Sequence, residues 1–172
     1  TQQYINFFPS VYLQHKLNDN YQIVYNVNRR ITRPHYRQLN PFVFYIDPLT
    51  TEEGNPNLKP QYANNFEMNH IYKGSYQIAL TYSQTENAFG QILTQDEDSR
   101  TTLIQMRNLD RTQNLGLRAT IPVAFADWYN TSNMLQFNGN SFQSQIGEDL
   151  LDVKQFSYMF RSQHNIILPK GF

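Results

Sequence analysis

From Ile5 to Leu17 the odd positions include Ile5, Phe7, Val11, Leu13 and Leu17, while the even ones include Asn6, Ser10, Gln14 and Lys16. A period of two puts successive side chains on opposite faces of an extended chain, so the run predicts a strand with one apolar and one wet face. After Asn18-Asp19-Asn20 the pattern resumes, with Tyr21, Ile23, Tyr25 and Val27 against Gln22, Asn26 and Asn28, which predicts a hairpin. A third run sets Phe66, Met68 and Tyr72 against Asn65, Glu67 and Asn69, and Lys73-Gly74-Ser75 joins it to a fourth carrying Tyr76, Ile78, Leu80 and Tyr82. The fifth ends in Leu115, Leu117, Ala119, Ile121 and Val123. The sixth, around Asn133 to Gln145, is weaker because Met134 and Phe142 break the alternation. The seventh sets Phe156, Tyr158 and Phe160 against Gln155, Ser157 and Arg161. The pattern therefore predicts an all-β, antiparallel meander of about seven strands.

The connections alternate in length. Tight turns are expected at 18 to 20, 73 to 75 and 126 to 130; long segments lie at about 31 to 63 and 86 to 100, with a shorter loop near 146 to 152. Transmembrane barrels of the outer-membrane type have short periplasmic turns and long external loops, so the alternation assigns each strand a direction. The chain then starts by descending from outside and finishes at a periplasmic turn, Pro169-Lys170-Gly171-Phe172. Tyr72, Tyr76, Phe125, Trp128 and Tyr129 fall beside the short turns, where aromatic rings form an interfacial girdle.

Composition supports a membrane wall over a helical protein. Twelve Tyr, twelve Phe and one Trp accompany only 16% charged residues, and the mean hydropathy of -0.62 owes much to Asn and Gln. No apolar run reaches the roughly 18 residues of a membrane helix. Fourteen Lys and Arg balance fourteen Asp and Glu, so no basic field points to nucleic acid. The absence of cysteine removes disulfides, thiolate metal sites and a cysteine nucleophile. No leading segment reads as a signal peptide, and both ends look like boundaries of a piece, with residues 1–172 a fragment of a barrel domain.

The segment Arg33-Pro34-His35-Tyr36-Arg37-Gln38-Leu39-Asn40-Pro41-Phe42, then Gly54-Asn55-Pro56-Asn57-Leu58-Lys59-Pro60-Gln61-Tyr62 and Asn65-Phe66-Glu67, resembles TonB-dependent outer-membrane receptors. In that family an Arg-Pro element ends an ascending strand and a Gly-Asn-Pro-x-Leu-Lys-Pro element precedes a descending one. Asn6-Phe7-Phe8-Pro9-Ser10, the stretch from Asn108 to Gly116 and Leu168-Pro169-Lys170-Gly171 resemble the versions common in Bacteroidetes. The resemblance spans nearly the whole chain. It implies a receptor in the bacterial outer membrane that binds a scarce nutrient outside and passes it through a plugged barrel by force from TonB. The implied partners are outer-membrane lipid, an N-terminal plug, the TonB complex and a ligand that is a siderophore, glycan, peptide or vitamin. The plug and the TonB-gripping segment are missing from these residues, and Gln61 stands where an acidic residue is commoner. Such barrels have about 22 strands, so seven are roughly a third of the wall.

Prolines at 34, 41, 48, 56 and 60 fix φ along the first long loop, stiffening it as a binding surface needs, although proline and asparagine also serve simply to stop strands. The candidate ligand set in this loop is Arg33, Tyr36, Arg37, Asn40, Phe42 and Tyr45. Arg29, Arg30, Arg33 and Arg37 would meet an anionic ligand or acidic plug groups through bidentate bonds. Tyr36, Phe42, Phe44 and Tyr45 would stack on sugar rings or simply pack the loop. His15, His35, His70 and His164 lack metal-site spacing, and Asp96-Glu97-Asp98 lacks the glycine and spaced oxygens of a calcium loop. No metal, cofactor or enzymatic constellation is expected. A soluble β-sandwich binding carbohydrate or peptide is the rival, with the alternation serving a core instead of lipid; a porin-like wall without a receptor role is a third reading. An isolated piece of wall, with two exposed strand edges and an apolar face, is expected to oligomerise, pair its edges or close into a smaller non-native barrel.

Overall fold

The computed structural model describes residues 7–96, 99–146 and 149–168. All seven expected strands are present: β1 (Ser10–Asn18), β2 (Tyr21–Thr32), β5 (Gln61–Tyr72), β6 (Tyr76–Asp96), β7 (Thr101–Ala126), β8 (Tyr129–Ile146) and β9 (Asp149–Ile166). They pair with their neighbours as an antiparallel meander in one open sheet, β1-β2-β5-β6-β7-β8-β9. Two further strands, β3 (Val43–Asp47) and β4 (Thr50–Glu53), and a single helical turn, α1 (Tyr36–Leu39), lie inside the first long connection, making nine strands among the described residues. The sheet is open: among the described residues neither β1 nor β9 has a second partner strand, so of the outcomes expected for an isolated piece, closure into a smaller barrel does not occur.

Register carries the alternation across the whole wall. One row of paired residues reads Leu13, Tyr25, Met68, Leu80, Leu117, Phe137 and Tyr158. The next reads Val11, Val27, Phe66, Tyr82, Leu115, Gly139 and Phe156. Because cross-strand partners share a face, a one-residue slip anywhere would turn a strand's whole apolar set over. These side chains are uncovered: Leu117 is 44% exposed, Phe156 69% and Tyr158 78%. No second sheet packs on them among the described residues, and the few buried apolar side chains are Leu58, Ala79 and Ala88. A soluble sandwich would bury this face, whereas a barrel wall presents it to hydrocarbon.

Three short connections lie at one end. Asp19-Asn20 joins β1 to β2, with the Asn18 side-chain oxygen accepting the Asn20 N–H at 2.9 Å. Lys73-Gly74-Ser75 joins β5 to β6, with Lys73 and Gly74 at φ 49 and 69, the left-handed pair of a tight hairpin turn. Asp127-Trp128 joins β7 to β8. The expected aromatic girdle gathers here, with Tyr72 6.1 Å from Tyr76 and the Tyr129 ring stacked on Phe125 at 5.0 Å and on Trp128 at 5.8 Å.

At the other end the expected loop at 86–100 is replaced by strand. β6 and β7 continue as a paired ribbon from Glu86↔Arg111 to Asp96↔Thr101, well above the apolar band. Likewise β8 runs to Ile146 and β9 starts at Asp149, so the ends of the loop expected at 146–152 are strand; residues 147 and 148 lie outside the described set. Glu97 and Asp98 of the acidic run, the terminal turn at 169–172 and residues 1–6, which include Ile5 and Asn6 of the expected first strand, also lie outside it.

Candidate functional site

The wet face holds the polar parity. The row Ser10, Asn28, Asn65, Ser83, Asn114, Asn140 and Gln155 crosses all seven wall strands. Its members bond sideways: Asn65 Nδ2 donates to Asn28 Oδ1 at 2.9 Å, Ser83 Oγ to Asn65 Oδ1 at 2.8 Å, and Asn114 Nδ2 to Asn140 Oδ1. Amides suit this position because each both donates and accepts, so a ladder satisfies itself without charge. Arg30, Glu67, Arg118 and Arg161 add charge to the same face.

The β2–β5 connection, residues 33–60, folds back over the outer part of this wall. β3 and β4 form a hairpin, and β4 pairs parallel to β7 from Thr50↔Thr102 to Glu53↔Gln105. It thereby occupies the β7 edge above Arg111, where β8 no longer pairs. The hairpin turn is closed by the Asp47 carboxylate, which accepts the Leu49 N–H at 2.8 Å. That bond, followed by one from Thr50, holds the Asp47 pKa below the ordinary carboxylate value.

Two sequence elements singled out above meet here and pin the connection. The Gly54 N–H donates to Asn40 O at 3.1 Å and the Asn55 N–H to Gln38 O at 2.6 Å. Gly54 is buried, and a Cβ on it would clash with the backbone oxygens of Asn40 and Arg37. Asn55 Nδ2 donates to Met106 O at 3.1 Å, and its Oδ1 accepts the Asn57 N–H at 3.0 Å. Leu58, 7% exposed, is buried beside it in the chain. Asn108 completes the clamp: its Oδ1 accepts the Lys59 N–H at 2.9 Å, while Nδ2 donates to Lys59 O at 2.9 Å and Asn87 O at 2.7 Å. Asn87 itself is at φ 53, a backbone kink that Asn tolerates. Gln61 Oε1 accepts the Phe89 N–H at 3.0 Å, which gives the uncharged residue at that position a defined use.

Between connection and wall opens a cavity of about 310 Å³ bordered by Arg37, Glu52, Glu53, Gln91, Ile104 and Met106. On β7, Ile104 and Met106 share the parity of Asn114 and Arg118, so the cavity opens on the wet side. Arg37 Nη2 lies 3.4 Å from Glu52 Oε2 and its guanidinium sits 5.8 Å from the Phe44 ring centroid. The pair is solvated, with side chains 74% and 41% exposed, so the arginine keeps donors free for a ligand.

Of the six candidate residues, Arg37 lines the cavity. Asn40 shapes it, through Oδ1 accepting the Phe42 N–H at 3.3 Å and the carbonyl bond to Gly54. Arg33 follows β2 and is exposed; Tyr36 and Tyr45 are each 80% exposed and Phe42 69%, projecting from the connection without converging on the cavity. Glu52, Gln91 and Asn108 were not anticipated as site residues. Asn108 alone carried a signal, as the first residue of a stretch resembling the receptor family. Among the described residues no three His, Cys, Asp or Glu come together as a metal cradle.

One open antiparallel sheet with a bare apolar face, an amide-rich opposite face, short turns at one end and a folded connection at the other define a segment of an outer-membrane barrel wall. The chain belongs to the outer membrane protein beta-barrel family, whose model matches residues 1–172. No curated protein matches it in sequence. Its fold is similar to the siderophore receptor PirA from Pseudomonas aeruginosa (TM-score 0.64, 17% identity), covering 91% of this chain and 34% of that one. It is also similar to the ferric enterobactin receptor PfeA from the same organism, solved in complex with enterobactin (TM-score 0.59, 18% identity, 89% of this chain and 28% of that one). PirA from Acinetobacter baumannii is a third such structure (TM-score 0.54, 13% identity, 92% and 34%). The chain thus spans about a third of the length of these receptors.

Proposed function

We propose that these residues are wall strands of a TonB-dependent receptor that binds a nutrient outside the cell and imports it to the periplasm. The observation that carries this reading is the β2–β5 connection, which folds inward over the wet face and is clamped there by Asn108 instead of extending away from the barrel. In this reading Arg30, Glu67, Arg118 and Arg161 face an N-terminal plug, and Arg37, Phe44 and Gln91 meet the ligand as it enters. Arg33, Tyr36, Phe42 and Tyr45 line the outer approach. The receptor binds and passes its cargo, with no chemical step of its own. Similarity to siderophore receptors makes a ferric siderophore the first ligand to test, ahead of glycan, peptide or vitamin.

The test is uptake of radiolabelled ferric siderophore by iron-starved cells carrying the full-length receptor, its deletion, or Arg37→Ala. Deletion should abolish uptake. Arg37→Ala should weaken it about tenfold or more, since a hydrogen bond to a charged group is worth about 1.5 to 3 kcal/mol. Uptake unchanged by deletion across a panel of siderophores would refute the siderophore assignment. Binding to the receptor unaffected by Arg37→Ala would remove that residue from the site.

A further inference from the structure

Glycine interrupts the apolar wall at one place for which no backbone reason exists. Gly54, Gly90 and Gly116 are each backed by atoms that a Cβ would strike, at 2.8 Å from Leu109 for Gly90 and 2.5 Å from Thr81 Oγ1 for Gly116, and Gly74 has φ 69. Gly139 differs from these other described glycines. It sits in β8 without positive φ, without a register shift on either side, and with nothing within 4 Å of the position a Cβ would take. Glycine inside a strand normally marks a bulge or a close approach, and neither occurs here. What it provides is empty space on the lipid side, in the row between Leu115 and Phe156.

That space is the floor of a groove of about 570 Å³, within the range of ligand sites of about 300 to 1,000 Å³. Its walls are Tyr82, Leu115 and Phe156, and the Phe156 ring stacks toward Phe137 with centroids 6.3 Å apart. Its rim on the side away from the short turns is polar. Gln113 Nε2 donates to the Tyr82 hydroxyl at 3.0 Å, and Lys154, 75% exposed, stands in the same row as Gln113 through Ser141. Lys154 lies 3.7 Å from the Asp152 carboxylate, an exposed contact that an anionic ligand can displace. The short turns are periplasmic, so this rim lies at the outer leaflet.

We infer that Gly139 and Lys154 form a site for a phosphorylated, multiply acylated lipid of the outer leaflet, one acyl chain lying in the groove and a phosphate meeting the Lys154 ammonium. The occupant follows from the location. A groove on the hydrocarbon face is filled by a lipid chain, and Lys154 at its upper rim, with Arg111 one outward row further from the short turns, selects an anionic headgroup, as surface lysines do at anionic membranes. The inference goes beyond the import reading, and the two fail separately, because the groove lies on the opposite face from the ligand cavity.

The full-length receptor, stripped of lipid in detergent, is titrated with lipid A and, separately, with phosphatidylglycerol, and native mass spectrometry counts bound copies. Lipid A should bind at one site in the parent and be lost in Gly139→Phe, whose ring fills the groove. Lys154→Gln, which leaves the strand packing intact, should lower occupancy about fivefold, the factor one surface cation contributes at an anionic lipid. Gly139→Leu serves if the phenylalanine variant fails to assemble. Siderophore uptake should stay at the parental level throughout. Equal lipid A binding by the parent and the groove-filled variant would overturn the site, and tighter binding of phosphatidylglycerol than of lipid A would overturn the choice of lipid.

Discussion

Replacing Leu117 by arginine puts a guanidinium on the lipid side of β7, and the register fixes how deep. The outward apolar run on β7 is Leu115, Leu117, Ala119, Ile121 and Val123, centred on Ala119. At about 3.3 Å per residue and a tilt near 40°, each two-residue step descends roughly 5 Å. Leu117 therefore lies about 5 Å from the middle of the band, and Gln113 about 15 Å from it, at headgroup depth. Arginine on the lipid face costs about 2 to 4 kcal/mol at midplane and about 0 to 1 near the interface. We expect a loss of about 3 kcal/mol for Leu117→Arg and under about 1 for Gln113→Arg. Tyr158 shares the row of Leu117 through Phe137, while its neighbour Ser157 shares the wet row of Gly116 and Asn138. Tyr158→Arg should cost about 2 to 3 kcal/mol and Ser157→Arg about 0.5 or less. The assay is the shift in denaturant midpoint of the full-length receptor in phospholipid vesicles, with the slope checked for constancy. Equal costs at Tyr158 and Ser157, or a larger cost at Gln113 than at Leu117, would refute the assignment of faces.

The clamp makes further predictions. Asn108→Ala leaves the Lys59 N–H and two backbone carbonyls without that partner, so protection from hydrogen exchange should fall by about 1 to 3 kcal/mol at residues 54–59 while β8 and β9 keep theirs. Unchanged protection there would show that the clamp is idle. Gly54→Ala drives a methyl into backbone oxygens and should cost about 1 to 3 kcal/mol, exposing the connection to protease outside intact cells; a protease pattern identical to the parent would contradict the close packing. For Asp47 the folded-state pKa is lowered, so its contribution to the β3–β4 turn is present above the ordinary carboxylate value and is lost as pH falls through the lowered one. Protection of the Leu49 and Thr50 amides, taken relative to their intrinsic exchange rates at each pH, should fall on acidification in the parent and much less in Asp47→Asn; equal acid sensitivity of the two would reject the carboxylate as the cause.

The wall strands were legible because each has a face that must meet hydrocarbon, which stamps period two on the sequence. Above the band that constraint lapses. The outward positions of upper β6, Gln84, Glu86, Ala88 and Gly90, look like loop residues, although backbone pairing keeps them in a strand up to Asp96. Met134 and Phe142 seemed to spoil β8, yet both fall on the wet parity, opposite Thr120 and Thr112, where an occasional apolar residue is tolerated. The β3–β4 hairpin was hidden because Phe42-Val43-Phe44-Tyr45-Ile46 shows no alternation and lies between prolines. Arg37 could be singled out from its chemistry and setting. Glu52 and Gln91 could not, and Asn108 stood out only as the start of a stretch resembling the receptor family, since each matters only once the connection has crossed two strands to reach β7.

The central claim is that the odd and even positions of each wall strand meet different media, and these residues bring no cysteine of their own to a label scan. Single cysteines placed from Gln155 to Arg161 in the full-length receptor, spin-labelled and reconstituted in bilayers, report oxygen accessibility residue by residue. Accessibility should peak at 156, 158 and 160 and fall at 155, 157, 159 and 161, with the inverse pattern for a water-soluble relaxant. A flat profile, or peaks at the odd numbers, would contradict the account.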